Sequence, residues 1–266
     1  MTWPILPIPT LYPIAVGEPL GTGRTKPIRM QCSNGDEIQD YVVKLKANIE
    51  LKEHGLAREL YGSLLAEFFD LETPRPAFVQ ITPQLAFTQT DPEVIQSLQN
   101  SIGLNFGSQY IKGPLIFTPP ARLGLTPLAC RIFCFDMLIG NIDRCAPHIN
   151  LFQTSTGFTL IDHEQAFPYS RPGIMLGGPP APWDFIRESW VRQHILYSSV
   201  KSKDCSLEIE DFIETLLRLT DDAFATIEAE IPAEWKTEDI SHFRHYISMA
   251  RDNATLVKRS LQETLV

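Results

Sequence analysis

The chain has 266 residues, 44% hydrophobic and 21% charged, the make-up of a globular protein with room for one large domain or two lobes. Its net charge of −9 and pI near 5.2 argue against direct nucleic-acid binding, whose affinity comes largely from neutralising phosphates. No apolar run approaches the length of a membrane span, so no membrane partner is expected.

At the N-terminus, MTWPILPIPTLYP is apolar but studded with prolines and lacks a basic leader, so it does not read as a signal peptide. Glycines at 21 and 23 precede a strand expected at 28–32. SNGDE is a turn signal and the β-rich run DYVVKL follows, which together make a hairpin. Residues 48–71 predict one long helix, because Leu56, Leu60, Leu64 and Phe68 recur every four residues. Ala57, Tyr61, Leu65 and Phe69 widen that face, and Gly55 weakens the early part. TPRPAFVQI breaks the helix and opens a strand near 77–81. A helix over 91–102 and a strand over 104–111 follow. The proline-rich KGPLIFTPPARLGLTP then connects to a second unit, with the boundary near residue 112.

The second unit is expected to begin with a helix over 127–139, with Thr126 as N-cap and Pro127 at the first helical position. The polar loop GNIDRCAPHIN comes next, then short strands INLFQ and GFTLI joined by TSTG. RPGIMLGGPPAPW, residues 171–183, is a loop of a length that is often functional. The segments DFIRESWVRQHILYSSV, LEIEDFIETLLRLT and SHFRHYISMARDNATLVKRSLQETL all read as helical. The fold class expected is α+β: strands and one long helix, a connector, then a mainly helical unit bearing a small hairpin.

Five scattered cysteines (32, 130, 134, 145 and 205) are no disulfide framework and favour a reducing, cytoplasmic setting. Cys130, Cys134, Cys145 and His148 form C-x3-C-x10-C-x2-H. The first two lie in an apolar run where small buried thiols are common, and the spacing matches no familiar zinc finger or ribbon. Cys145 has Arg144 beside it to lower its pKa, but no recognisable oxyanion loop to make it a nucleophile. Lys44 shares a strand face with Val42, and taken alone it reads as a lysine snorkelling off a half-exposed strand. Glu59 has Gly55, Leu56, Gly62 and Ser63 at three and four residues, so another element can approach it closely. Asp143 and Asn150 bracket the polar loop, and Asp162 ends the apolar strand TLI. Two acids and an amide on a hairpin-linked loop are what Mg-assisted phosphoryl transfer needs, although turn chemistry also selects Asn and Asp.

The order of a glycine-rich turn, a strand lysine, a helix glutamate, N-x-D-R…N-L-F and L-I-D-H-x-x-A-F resembles the HipA-like kinases. It is more distantly similar to the phosphatidylinositol kinases and the wider protein-kinase-like fold. FDMLIGNIDR and TLIDHEQAF carry most of the likeness, supported by PLGTGRTKP…YVVKL and LARELYGSLLAEFFDLETPRPAFVQI across residues 18–167. The resemblance implies a bilobal fold, with an N-lobe over 1–112 and a C-lobe over 113–266. It implies ATP and Mg2+ as cofactors and a hydroxyl acceptor on a protein serine or threonine. Gly21, Thr22, Gly23, Arg24 and Thr25 would cover the phosphates, with Thr22 and Thr25 also placed for self-phosphorylation. Lys44 would contact the α- and β-phosphates and pair with Glu59. Gln109, Tyr110 and Ile111 would pass the adenine, Asp143 would be the catalytic acid/base residue, and Asn150 and Asp162 would be metal ligands.

Three departures bear on this. Asp143 and Asn150 stand wider apart than in common kinases, Cys145 stands where relatives often have histidine, and IDHEQ replaces Asp-Phe-Gly. The rival expectations are a small-molecule phosphotransferase of aminoglycoside or sugar type, an ATP-binding pseudokinase acting as an interaction module, and nucleotidyl transfer to a protein. A regulatory partner protein is compatible with each.

Overall fold

Period-two alternation of apolar side chains shapes the first third of the chain. The structure is a computed structural model describing residues 6–21, 25–113, 115–154, 157–167 and 181–266. Strands β1 (Thr10–Pro19), β2 (Ile28–Ser33), β3 (Ile38–Lys44), β4 (Pro76–Ile81) and β5 (Gly103–Gln109) close a barrel in the order β1-β2-β3-β5-β4. Met30, Cys32, Tyr41, Val43, Ala77, Val79 and Ile81 fill its interior. They pack with Leu85 of α2 (Pro83–Ala86) and with Val94 and Leu98 of α3 (Pro92–Gln99).

The sequence pattern misses β1, whose Pro13 and Pro19 have no N–H to give a ladder. Its register against β2 shifts between Pro13 and Ala15 and again between Val16 and Pro19. It meets β4 in parallel at only two paired positions, Thr10 with Phe78 and Leu11 with Val79. One result matters for function: the glycine-bearing segment becomes the connection of a β1–β2 hairpin. The Leu20 N–H closes that hairpin on the Pro27 carbonyl at 2.6 Å.

Helix α1 (Glu53–Phe68) starts later than its periodicity predicts. Before it, Asn48 and Lys52 donate to the carbonyls of Leu45 and Ile49, three-residue turn bonds rather than a helical ladder. Its buried Leu56, Leu60, Leu64 and Leu65 are contiguous with the larger, second apolar cluster and not with the barrel interior.

That second cluster centres on α4 (Thr126–Ile139), which is buried on nearly every side. Thr126 is its first residue rather than its cap; Leu125 occupies the cap position without a side-chain bond. A small antiparallel sheet runs β6 (Leu115–Ile116), β7 (Leu151–Gln153), β8 (Phe158–Leu160). The expected helix over 184–200 is instead two 3-10 turns, Asp184–Arg187 and Ser189–Gln193, followed by α5 (Tyr197–Val200). His194 is drawn out of any helical path because its ring binds a buried carboxylate on α4. Helices α6 (Ser206–Leu217), α7 (Asp221–Ala229), α8 (Glu238–Asp252) and α9 (Ala254–Leu265) complete the chain. Phe243 of α8 stacks on Phe167 at 4.4 Å, and Tyr61 of α1 packs edge-on against both, so the helical tail braces α1. Among the described residues no helix is long and apolar enough to cross a membrane.

Candidate active site

Lys44 ends β3 on the face away from the barrel interior, yet it is only 8% exposed. A buried ammonium needs partners. It has two: Glu59 Oε1 on α1, and Asp162 Oδ1 beyond β8 at 2.8 Å. Burial works against its charge, but the carboxylates of Asp162 and Glu59 outweigh that and hold its pKa above the ordinary lysine value. The snorkelling reading of this lysine is therefore wrong.

Glu59 is buried and accepts from the backbone N–H groups of His163 and Glu164, both at 3.0 Å. It thus anchors the turn that immediately follows Asp162. Burial pushes its carboxyl up, against the pull of Lys44. The small neighbours read from the sequence permit this approach: a Cβ on Gly62 would meet the His163 Cβ at 2.6 Å. Gly62→Ala is expected to cost about 1–3 kcal/mol by overpacking. An unhindered helical glycine would instead gain about 0.5–1 kcal/mol from alanine. Urea unfolding decides the sign, and a stabilised alanine variant would contradict this packing.

The polar loop begins where α4 ends at Gly140, in the left-handed conformation (φ 61°) that glycine adopts most readily. Cys145 and His148 pair across a tight turn, which takes up the extra length of the loop. The chain then returns, and the Asn150 side-chain amide donates to Asp143 Oδ2 at 3.2 Å across a seven-residue interval. The Ile161 N–H donates to the Asn150 carbonyl at 3.3 Å, one step beyond the Leu151–Leu160 pair. Asn150 therefore lies beside the strand that leads into Asp162. Both residues have positive φ, 47° and 63°, a region that Asn and Asp tolerate better than most residues.

The two acids differ. Asp143 is half-buried; desolvation, and then the charge of Asp162, push its carboxyl above the usual carboxylate range. Asp162 is also desolvated, but Lys44 overrides this and holds its carboxyl low. Such a split separates a group that can take a proton from one that stays ionised. Carboxylate oxygens of Glu59, Asp162 and Glu164 lie within 4.8 Å of one another, a cluster whose third member was not singled out from the sequence.

Beneath the loop is a buried network that sequence reasoning also missed. Asp136 of α4 is fully buried and accepts from Arg144 Nε at 2.7 Å and from the Asn141 amide at 3.2 Å. His194 Nε2 lies 2.9 Å from the same carboxylate. Arg144 also donates to the carbonyls of Asn150 and Ile161, tying the loop to the hairpin. The one signal in the sequence was a lone acid inside the apolar run CRIFCFDMLI.

Thr22, Gly23 and Arg24 lie outside the described residues, as do residues 168–180 of the Pro/Gly loop region; Gly21 and Thr25 flank the hairpin connection. Gln109 ends β5, and its N–H donates to the Arg75 carbonyl while that of Tyr110 donates to Asp40, both at 2.9 Å. Those two donors are therefore committed within the protein. Cys145 is a free thiol whose pKa is raised by burial and by Asp143, the opposite of an activated nucleophile.

A family model described as HipA-like kinase matches residues 14–264. No curated protein matches the chain. Among solved structures it is similar to the one titled "Crystal structure of A Helicobacter pylori proinflammatory kinase CtkA". The identity is 12% and the TM-score 0.49, with 93% of this chain and 96% of that chain covered.

Proposed function

The chain belongs to the HipA-like kinases, a phosphotransferase family, and from that premise we propose that it moves the γ-phosphate of ATP, with Mg2+, to a hydroxyl on a protein serine or threonine. ATP would lie in a cleft between lobes of residues 1–112 and 113–266. One observation carries the reading: Lys44, Glu59 and Asp162 from three separate elements share one buried ion-pair cluster, with the Asp143–Asn150 pair alongside.

Mg2+ takes hard oxygen ligands. The Asp162 carboxylate and the Asn150 amide oxygen, which remains once its nitrogen is bonded to Asp143, are of that kind. Lys44 is one positive charge among the acids Glu59, Asp162 and Glu164, so the cluster can accept a cation. The ion, when bound there, would neutralise charge on the phosphates. Lys44 would hold phosphate oxygens, the backbone N–H groups of the 21–25 segment would cover them, and Asp143 would orient and deprotonate the acceptor hydroxyl. The wide Asp143–Asn150 interval, which favoured a non-catalytic module, is offset by the turn at Cys145–His148. Free cysteines fit a cytoplasmic setting.

The test is the intact mass of the protein after incubation with Mg-ATP, alone and with candidate protein acceptors. A phosphate adduct on either supports the proposal. An AMP adduct would mean nucleotidyl transfer, phosphorylation of only aminoglycosides or sugars a small-molecule enzyme, and binding without turnover a pseudokinase. Asp162→Asn removes the ionised ligand while keeping its shape. It is expected to weaken Mg-ATP binding by at least the ~10–100-fold typical of a lost outer partner of a metal, read by calorimetry. Unchanged affinity would remove Asp162 from the metal site.

A further inference from the structure

The sequence pattern Cys130, Cys134, Cys145 and His148 does not come together. Cys145 and His148 pair with each other on the loop beyond the C-terminal end of α4. Cys130 sits about 13 Å back along that helix. There it meets different partners: Cys205, the residue that precedes α6, and Glu208 in the first turn of α6. The two sulfurs and a Glu208 carboxylate oxygen all lie within 4.8 Å of one another. Cys134 lies one turn further along α4 from Cys130, on the same helix face. The three thiols are buried and Glu208 is half-exposed at the edge of the cluster.

We propose that Cys130, Cys205 and Glu208, with Cys134 as fourth donor, bind one zinc-type divalent cation that staples α4 to the start of α6. The site stands apart from the phosphotransfer centre and does not depend on the function proposed for it.

The donor set selects the ion. Thiolates disfavour Mg2+ and Ca2+, which want oxygen, while a carboxylate beside them disfavours the purely thiophilic Cu(I); Zn2+ accepts both. Geometry agrees. Tetrahedral zinc with Zn–S near 2.3 Å places its sulfurs about 3.8 Å apart, so ligand atoms already within 4.8 Å close on an ion by side-chain adjustment alone. Cys205 also lies at the N-terminal end of a 12-residue helix, where the aligned peptide dipoles favour a thiolate. Buried thiols by themselves are ordinary core packing, but a carboxylate oxygen set against two of them, Cys130 and Cys205, is not. Thiol ligands must give up their protons to bind a cation, so uptake of the ion weakens as pH falls. Because α4 ends in the loop that holds Asp143, a staple on its N-terminal half stiffens the support of that loop.

The experiment uses the full chain, reduced and stripped of metal with a chelator, then titrated with Co2+ and with Zn2+ in competition. One equivalent of Co2+ is expected to produce a thiolate-to-cobalt charge-transfer band that Zn2+ abolishes and Mg2+ does not. Zn2+ alone is expected to raise the melting temperature. Cys205→Ser should weaken the band, one thiolate being lost, and Glu208→Gln should weaken Zn2+ binding about tenfold or more. The proposal is overturned by absence of the band, by a band of undiminished intensity in Cys205→Ser, or by unchanged Zn2+ affinity in Glu208→Gln. The last holds even if the serine variant fails to fold. It is equally overturned if Cys130 and Cys205 are found as a disulfide, two hydrogens light by mass, and the reduced protein takes up no metal.

Discussion

Asp143→Asn is expected to slow phosphoryl transfer by about 10²–10⁴-fold, the contribution of a positioned acid–base group, with ATP affinity and fold retained. The substitution keeps the shape of a half-buried side chain that hydrogen-bonds Asn150, whereas the Lys44–Glu59–Asp162 bonds are made without it. What it removes is the ability to accept a proton. Single-turnover rates measure the loss, and calorimetry measures nucleotide binding; wild-type turnover would take Asp143 out of the catalytic role. The pH profile gives an independent reading. Desolvation and the charge of Asp162 raise the carboxyl of Asp143, so on acidification it loses its base form earlier than an ordinary aspartate, near 3.9, would. The acid limb of the wild-type rate should lie above that value and be missing from the residual rate of Asp143→Asn.

Asp136→Ala should have the largest effect on stability, about 3–5 kcal/mol, the cost of breaking a buried ion pair by removing one partner. Arg144 and His194 are both buried and both face this carboxylate, so alanine leaves a guanidinium without its counter-charge inside the protein. Burial alone would raise the carboxyl of Asp136, but Arg144 and His194 override it and hold it low. The sign follows: this stabilisation is complete above the unfolded-state value near 3.9 and is lost as pH falls through the lower folded value. Urea unfolding at neutral pH measures the loss, and a change under about 1 kcal/mol would mean that the network does not hold the loop. Activity should fall in both variants, with global stability lost only in Asp136→Ala.

These two residues also differ in how legible they were. Asp143 announces itself in NIDR, behind an apolar helix and ahead of an apolar strand. Asp136 sits unremarked in the last turn of that helix, and its partner His194 is 58 residues away, in a segment whose pattern wrongly promised a helix. Strands β2 to β5 and helices α1 and α4 were readable because a period of two or of 3.6 is written locally. Strand β1 was not, because its prolines conceal a strand held by barrel closure. Lys44 lies between. Its strand was plain, but alternation by itself made it a surface lysine, and only the order of motifs lent it a role.

The sequence by itself determined the local periodicities, the polar loop after α4, the small residues beside Glu59 and the family likeness, all properties of neighbours along the chain. Tertiary structure alone decided that Lys44 meets Asp162 across 118 residues and that Glu59 holds the backbone at His163 and Glu164 across 104 and 105. It alone folded the long loop back so that Asn150 reaches Asp143, and it sent Cys130 to Cys205 rather than to Cys145. The reason is physical: a buried charge or thiol is specified by whatever desolvates it and pairs with it, and those groups come from elements whose meeting no local pattern records.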